Sequence, residues 1–95
     1  MLERDVEKYL VKKIKELGGM CPKWVSPGLR GVPDRIVILK DKIVFVETKR
    51  PEGVLAEAQA IRAKQIRTLG HKVYTAYSIE EVKRLIDELQ FEGRR

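Results

Sequence analysis

The chain has 95 residues, a length that predicts one domain over 1–95 with a modest hydrophobic core and excludes a multidomain protein. Twenty Lys and Arg against fourteen Asp and Glu give a net charge of +6 at pH 7. This charge favours a protein that binds a phosphate-rich partner over a protein that is basic only for solubility. A single cysteine excludes an internal disulfide and a cysteine-rich zinc site, and no apolar run approaches the roughly 20 residues of a membrane span.

Seven elements follow from the pattern of apolar and turn-forming residues along the chain. Apolar residues recur at helical spacing in the first element, which the pair Gly18 and Gly19 stops. Gly70 ends the second helix and Ser78 caps the last one, while Pro22 favours an edge position or a late start for the first strand. The predicted elements are a helix over 3–17, strands over 20–26, 34–39 and 42–49, a helix over 55–69, a strand over 71–77 and a helix from about 79 to 90.

This αβββαβα order predicts an α/β fold with a small mixed β-sheet flanked by helices. Ile36 and Ile38 share one face of their strand, and Val37 and Leu39 share the other, so both faces of the sheet must be covered. The second helix lies between the third and fourth strands and can therefore serve as a parallel crossover.

A turn made of Lys40 and Asp41 would set the register of the central hairpin. Counted outward from that turn, Asp34 lies across from Glu47, and Lys49 falls on the same face as Glu47. Two carboxylates and one ammonium would then converge at one end of the sheet. A loop changed by one residue would instead turn Glu47 to the other face.

The converging carboxylates suit a hard divalent cation, since Mg²⁺ prefers oxygen ligands and takes one or two carboxylates with waters and substrate phosphate. His71 is the only histidine, so zinc ligands are lacking. Lys49 could supply a point charge during phosphodiester hydrolysis. Spacing alone leaves open a surface salt bridge between Glu47 and Lys49 or Arg50.

The stretch "GVPDRIVIL" followed by "VFVETKRPEG" resembles the PD-(D/E)xK nucleases, and with "LGHKVYTAYSIEEV" it resembles, more narrowly, the VRR-NUC family. The resemblance runs from Glu3 to about Leu89. It implies a restriction-endonuclease-like core and an endonuclease that uses Mg²⁺ or Mn²⁺ to hydrolyse DNA. Because standalone minimal members look like dimeric, structure-selective enzymes, it also implies a homodimer acting on branched DNA such as four-way junctions.

The resemblance also implies roles for individual residues. Asp34 and Glu47 would bind metal, the backbone carbonyl of Thr48 would add a ligand, and Lys49 would be the catalytic lysine. Gln59 matches a family glutamine that positions water or phosphate. The family's acid in the first helix corresponds to Glu3, which helical spacing places within the apolar stripe, with Glu7 one turn later as the alternative.

Basic residues around these motifs are candidates for contacts with DNA phosphates, and Trp24 is a candidate for stacking on a base. The predicted nucleic-acid-binding residues are Lys23, Arg30, Arg35, Arg50 and Arg62, and the terminal Arg94 and Arg95 are further candidates. The charged N-terminus lacks the apolar segment of a signal peptide, so we expect a cytoplasmic protein with no membrane partner. Two alternatives stay open: a non-catalytic DNA-binding module, and a nuclease subunit that a partner protein targets.

Overall fold

Helices and strands follow one another in the predicted order, except that the first predicted strand does not form a continuous strand. The structure is a computed structural model that describes residues 1–93, so Arg94 and Arg95 lie outside the described residues. The elements are α1 (Glu3–Glu16), β1 (Arg35–Leu39), β2 (Lys42–Thr48), α2 (Glu57–Thr68), β3 (Val73–Ala76) and α3 (Ile79–Gly93). No helix in this part of the chain is long and apolar enough to cross a membrane.

The helices begin and end where the capping residues indicate. Gly18 and Gly70 have φ angles of 80° and 93°, in the left-handed region that glycine adopts without strain, and each follows the last turn of a helix. At the start of α3, Ser78 Oγ accepts the Glu81 N–H at 3.1 Å, while Glu81 Oε1 accepts the Tyr77 N–H at 3.2 Å. The predicted N-cap is confirmed, since these bonds satisfy donors that the helix itself leaves unpaired.

The sheet has three strands among the described residues, in the order β1-β2-β3. β1 and β2 are antiparallel, with Leu39 opposite Lys42 and Arg35 opposite Val46, so the Lys40-Asp41 turn sets the register as predicted. Asp41 has a φ of 61°, which completes this tight turn. β2 and β3 are parallel, and α2 forms the crossover between them.

The segment predicted as the first strand lies along the outer edge of β1, but only as two isolated bridges, Met20–Ile38 and Lys23–Arg35. Pro22 lies between the bridged positions and has no N–H to donate, so the ladder cannot run continuously. The α/β class and the element order are thus confirmed, with the first strand reduced to an irregular edge.

Helices cover both faces of the sheet. Residues of α1 and α3 pack on one face and form the main core with alternate residues of the strands, namely Val6, Leu10, Ile14, Val37, Val44, Val46, Ala76, Val82, Leu85, Ile86 and Leu89. α2 lies on the opposite face, where Glu47 projects from β2 and Phe45 packs on Trp24 with ring centroids 5.2 Å apart. The sheet therefore separates α1 from the face that carries Glu47.

Candidate active site

Asp34 and Glu47 lie opposite each other at the open end of the β1–β2 hairpin. The ladder ends at the pair Arg35 and Val46, so the next step along each strand brings the two acids together. Asp34 N–H donates to Glu47 Oε1 at 3.1 Å, and Thr48 donates to Asp34 Oδ2 through N–H at 2.9 Å and through Oγ1 at 3.1 Å. Each carboxylate thus fixes the backbone beside the other.

Glu47 holds its carboxylate in a costly environment, since the residue is only 4% exposed. Burial and the negative charge of Asp34 raise the pKa of Glu47 from 4.5 to about 7, even though Lys49 and the Asp34 N–H act to lower it. Lys49 Nζ lies 3.5 Å from Glu47 Oε2. A further positive charge at the pair would stabilise both carboxylates in their ionised form.

Gln59 reaches the same carboxylate from the first turn of α2. Its Oε1 accepts the Ala56 N–H at 2.9 Å, which leaves Nε2 to donate to Glu47 Oε2 at 2.6 Å. The cap of the helix therefore fixes which way the amide points. The fold thus brings together four predicted site residues, which are Asp34, Glu47, Lys49 and Gln59.

A close backbone contact holds α2 in this position. Gly31 has a φ of 78°, and a Cβ on it would lie 2.2 Å from the carbonyl oxygen of Ala58 and 2.9 Å from the nitrogen of Gln59. Nearby, Arg62 Nε donates to the Arg30 carbonyl at 2.9 Å. Only glycine fits this approach, so the loop before Asp34 and the first turn of α2 are positioned together.

The oxygen atoms of this pair fit a hard divalent cation. Within residues 1–93 no hydrogen bond reaches Asp34 Oδ1, so this oxygen is available to a ligand. The Thr48 N–H faces Asp34, and because the N–H and C=O of one strand residue point the same way, its carbonyl faces that side too. Two carboxylates and one carbonyl are the ligand types that Mg²⁺ takes together with waters and phosphate oxygens.

The acids of α1 are not brought to this pair. Glu3 is exposed at the first residue of α1, and Glu7 accepts a bond from Arg35 Nε at 2.8 Å. Within residues 1–93 no third His, Cys, Asp or Glu completes a metal-holding cluster. The physical reason is that α1 packs on the face of Val46, whereas Glu47 projects from the other face. The ligand role of Glu3, or of Glu7, stays a prediction.

The predicted phosphate-contacting residues differ in how their side chains are engaged. Three of them are exposed: Lys23, Arg30 and Arg50. Arg62 is partly buried and already donates to the Arg30 carbonyl and to Gln65 Oε1. Trp24, the candidate for base stacking, is partly buried against Phe45. The exposed three are therefore free to meet DNA at less cost than Arg62.

Arg35 has a structural role that sequence reasoning missed. Besides its bond to Glu7, its guanidinium donates through Nη1 to the Cys21 carbonyl at 2.9 Å. Because Arg35 directly follows Asp34, the alternation of side chains along the strand directs it to the α1 face. This orientation could have been predicted from the sequence. Its partners could not, since Glu7 is distant in the chain. A phosphate contact by Arg35 would require these bonds to break.

Comparisons with known proteins identify the family and the fold, although no family model matches the chain. A protein named "Putative nuclease p44" from Acyrthosiphon pisum secondary endosymbiont phage 1 is 44% identical over 72 residues, which are 75% of this chain and 77% of the relative. A solved structure described as a VRR_NUC domain superposes with a TM-score of 0.84 at 32% identity, covering 90% of this chain and 94% of the other. Because the first relative is 44% identical over three quarters of both chains and the VRR_NUC structure superposes over nine tenths of this chain, the chain belongs to the VRR-NUC family of the PD-(D/E)xK nucleases.

Proposed function

We propose that this protein is an endonuclease that hydrolyses DNA phosphodiester bonds with the help of Mg²⁺ or Mn²⁺. One observation carries the proposal: Asp34 and Glu47 face each other across the end of the hairpin, with the Lys49 ammonium 3.5 Å from Glu47. Family membership supports nuclease chemistry, and the basic net charge of +6 supports a polyanionic substrate.

Each residue of the site has a task in this proposal. Asp34 Oδ1, Glu47 and the Thr48 carbonyl would hold the cation, which when bound supplies positive charge for the phosphate oxygens and makes a water molecule more acidic. Lys49 stabilises negative charge that develops on the phosphate and orients the attacking water. Gln59 keeps the Glu47 carboxylate in one orientation through its bond of 2.6 Å.

The test uses plasmid, linear, flap and four-way-junction DNA, each incubated with and without Mg²⁺ or Mn²⁺. Asp34→Asn and Glu47→Gln should each abolish cleavage and remove the rise in melting temperature that the cation gives to the wild type. Asp41→Asn is the matched control, because this acid lies at the opposite, turn end of the same hairpin. Metal-independent cleavage by both site variants would refute the proposal.

Binding of DNA without cleavage under every metal condition would favour the non-catalytic binding module instead. Cleavage that requires a second protein would favour the targeted subunit. The first outcome is read by measuring DNA binding alongside cleavage, and the second by repeating the cleavage assay with cell extract added.

We further propose that the enzyme acts as a two-fold homodimer on branched DNA. One site per chain cuts one strand, whereas resolving a four-way junction requires two cuts related by symmetry, which an isologous dimer supplies. Phe91 is exposed near the end of α3 and is a candidate contact between the two copies. Sedimentation at micromolar concentration should give a dimer that Phe91→Asp weakens. A monomer that nicks flaps and leaves junctions whole would refute the dimer while sparing the nuclease.

A further inference from the structure

The loop before Asp34 presents apolar side chains to solvent next to the candidate site. Val25 is 75% exposed and Leu29 is 40% exposed, although the chain has a core that could bury such residues. Both ends of the loop lie beside the acids, because Trp24 at its start donates its N–H to the Asp34 carbonyl at 3.0 Å and the loop itself leads into Asp34. Leu29 precedes Asp34 by five residues and lies within about 18 Å of it, which corresponds to about five base pairs of duplex.

This loop is held at both ends and closed by a turn between them. The Gly31 backbone touches Ala58 of α2, and Leu29 N–H donates to the Ser26 carbonyl at 3.2 Å. At its start the Trp24 ring packs on Phe45. The exposed side chains are therefore presented by an anchored loop, and ordering them on a ligand costs less conformational entropy than ordering a mobile segment.

The charge of this region suits a polyanion. The sequence has no Asp or Glu between Glu16 and Asp34, and the exposed Lys23 and Arg30 lie on either side of the apolar residues. Residues 58–79, which form most of α2 and all of β3, likewise lack Asp and Glu and carry four Lys or Arg. Many DNA-bending proteins insert apolar side chains between base steps, with Lys and Arg nearby, and so hold the bases unstacked.

We propose that the loop over 25–30 is a DNA-contacting wedge, an inference that rests on the nuclease function proposed above. Val25 and Leu29 pack against unstacked bases and sugars beside the cleaved bond. Lys23 and Arg30 neutralise the neighbouring phosphates. The loop thereby favours DNA in which base stacking is already interrupted, as at a branch. Unstacking an intact duplex costs free energy, whereas at a branch the bases are already unstacked.

The test measures binding with Ca²⁺ in place of Mg²⁺, using a four-way junction and a linear duplex that share one arm sequence. A 2-aminopurine at the branch reports unstacking. Val25→Ser/Leu29→Ser should weaken junction binding by about tenfold or more and duplex binding by less than about threefold, and should remove the rise in 2-aminopurine fluorescence. Leu69→Ser is the matched control, since Leu69 is 76% exposed but lies at the other end of α2 from Gln59.

Arg30→Gln should weaken junction and duplex alike and reduce the slope of log affinity against log salt by about one. Wild-type affinity in the double variant overturns the proposal, and so does a loss that Leu69→Ser reproduces. If the double variant fails to fold, Val25→Ser and Leu29→Ser are measured singly by the same criteria. Because binding is measured without cleavage, a wild type that binds junctions but cuts nothing refutes the nuclease proposal alone, while unchanged binding by the variants refutes the wedge alone.

Discussion

Gly31→Ala should disturb the protein more than any other single-methyl addition on the same loop. The new Cβ would lie 2.2 Å from the Ala58 carbonyl oxygen and 2.4 Å from its carbon, so loop and helix must separate by about 1 Å to reach ordinary contact. The φ of 78° adds strain of about 1–2 kcal/mol for a residue with a Cβ. With about 1–3 kcal/mol for the overpacking, the free energy of unfolding should fall by about 2–5 kcal/mol.

The assay is urea unfolding followed by circular dichroism, in which a loss of this size lowers the midpoint by about 1–3 M. Gly28→Ala is the matched control, because a Cβ there meets nothing within 4 Å and its φ lies outside the left-handed region. It should remain within about 0.5 kcal/mol of the wild type. A Gly31→Ala protein as stable as Gly28→Ala would refute the reasoning.

The same change tests whether the loop positions Gln59. Separation by about 1 Å would stretch the Gln59 Nε2 to Glu47 Oε2 bond of 2.6 Å beyond hydrogen-bonding range. The rate loss caused by Gly31→Ala should therefore be smaller in a Gln59→Ala background than in the wild type. Rate losses that simply add would show that Gly31 acts by another route.

Three further predictions concern charged side chains. The pKa of Glu47 is about 7 in the folded chain and 4.5 in the unfolded chain, so the metal-free protein should lose up to about 3 kcal/mol of stability as pH rises from 4.5 to 7. Glu47→Gln should remove this loss. Parallel profiles of stability against pH for the wild type and Glu47→Gln, measured in EDTA, would contradict the prediction. Arg35→Ala leaves the Glu7 carboxylate without its partner and should cost about 1–3 kcal/mol of stability while DNA affinity stays unchanged. Arg50→Ala should instead weaken DNA binding while stability stays unchanged. The reverse pattern would show that Arg35 contacts DNA. Lys49→Ala should stop cleavage while DNA affinity changes little, because its charge acts mostly in the transition state, and equal losses of both would make Lys49 a phosphate anchor.

The sequence by itself determined the features that depend on local rules. The Lys40-Asp41 turn fixes the hairpin register, and the register alone places Asp34 across from Glu47. Helix ends follow from Gly18, Gly70 and Ser78, because capping involves only neighbours within one turn. These parts of the fold and of the candidate site were predicted correctly for that reason.

Only the tertiary structure decided which distant residues meet. Helical spacing gives the angle of Glu3 around α1 but not how far the sheet extends along that helix, so its exposure could not be predicted. The partner of Arg35 in α1 and the contact of Gly31 with Ala58 likewise join segments far apart in the chain. Such contacts depend on how whole elements pack against one another, and no short sequence pattern records that packing.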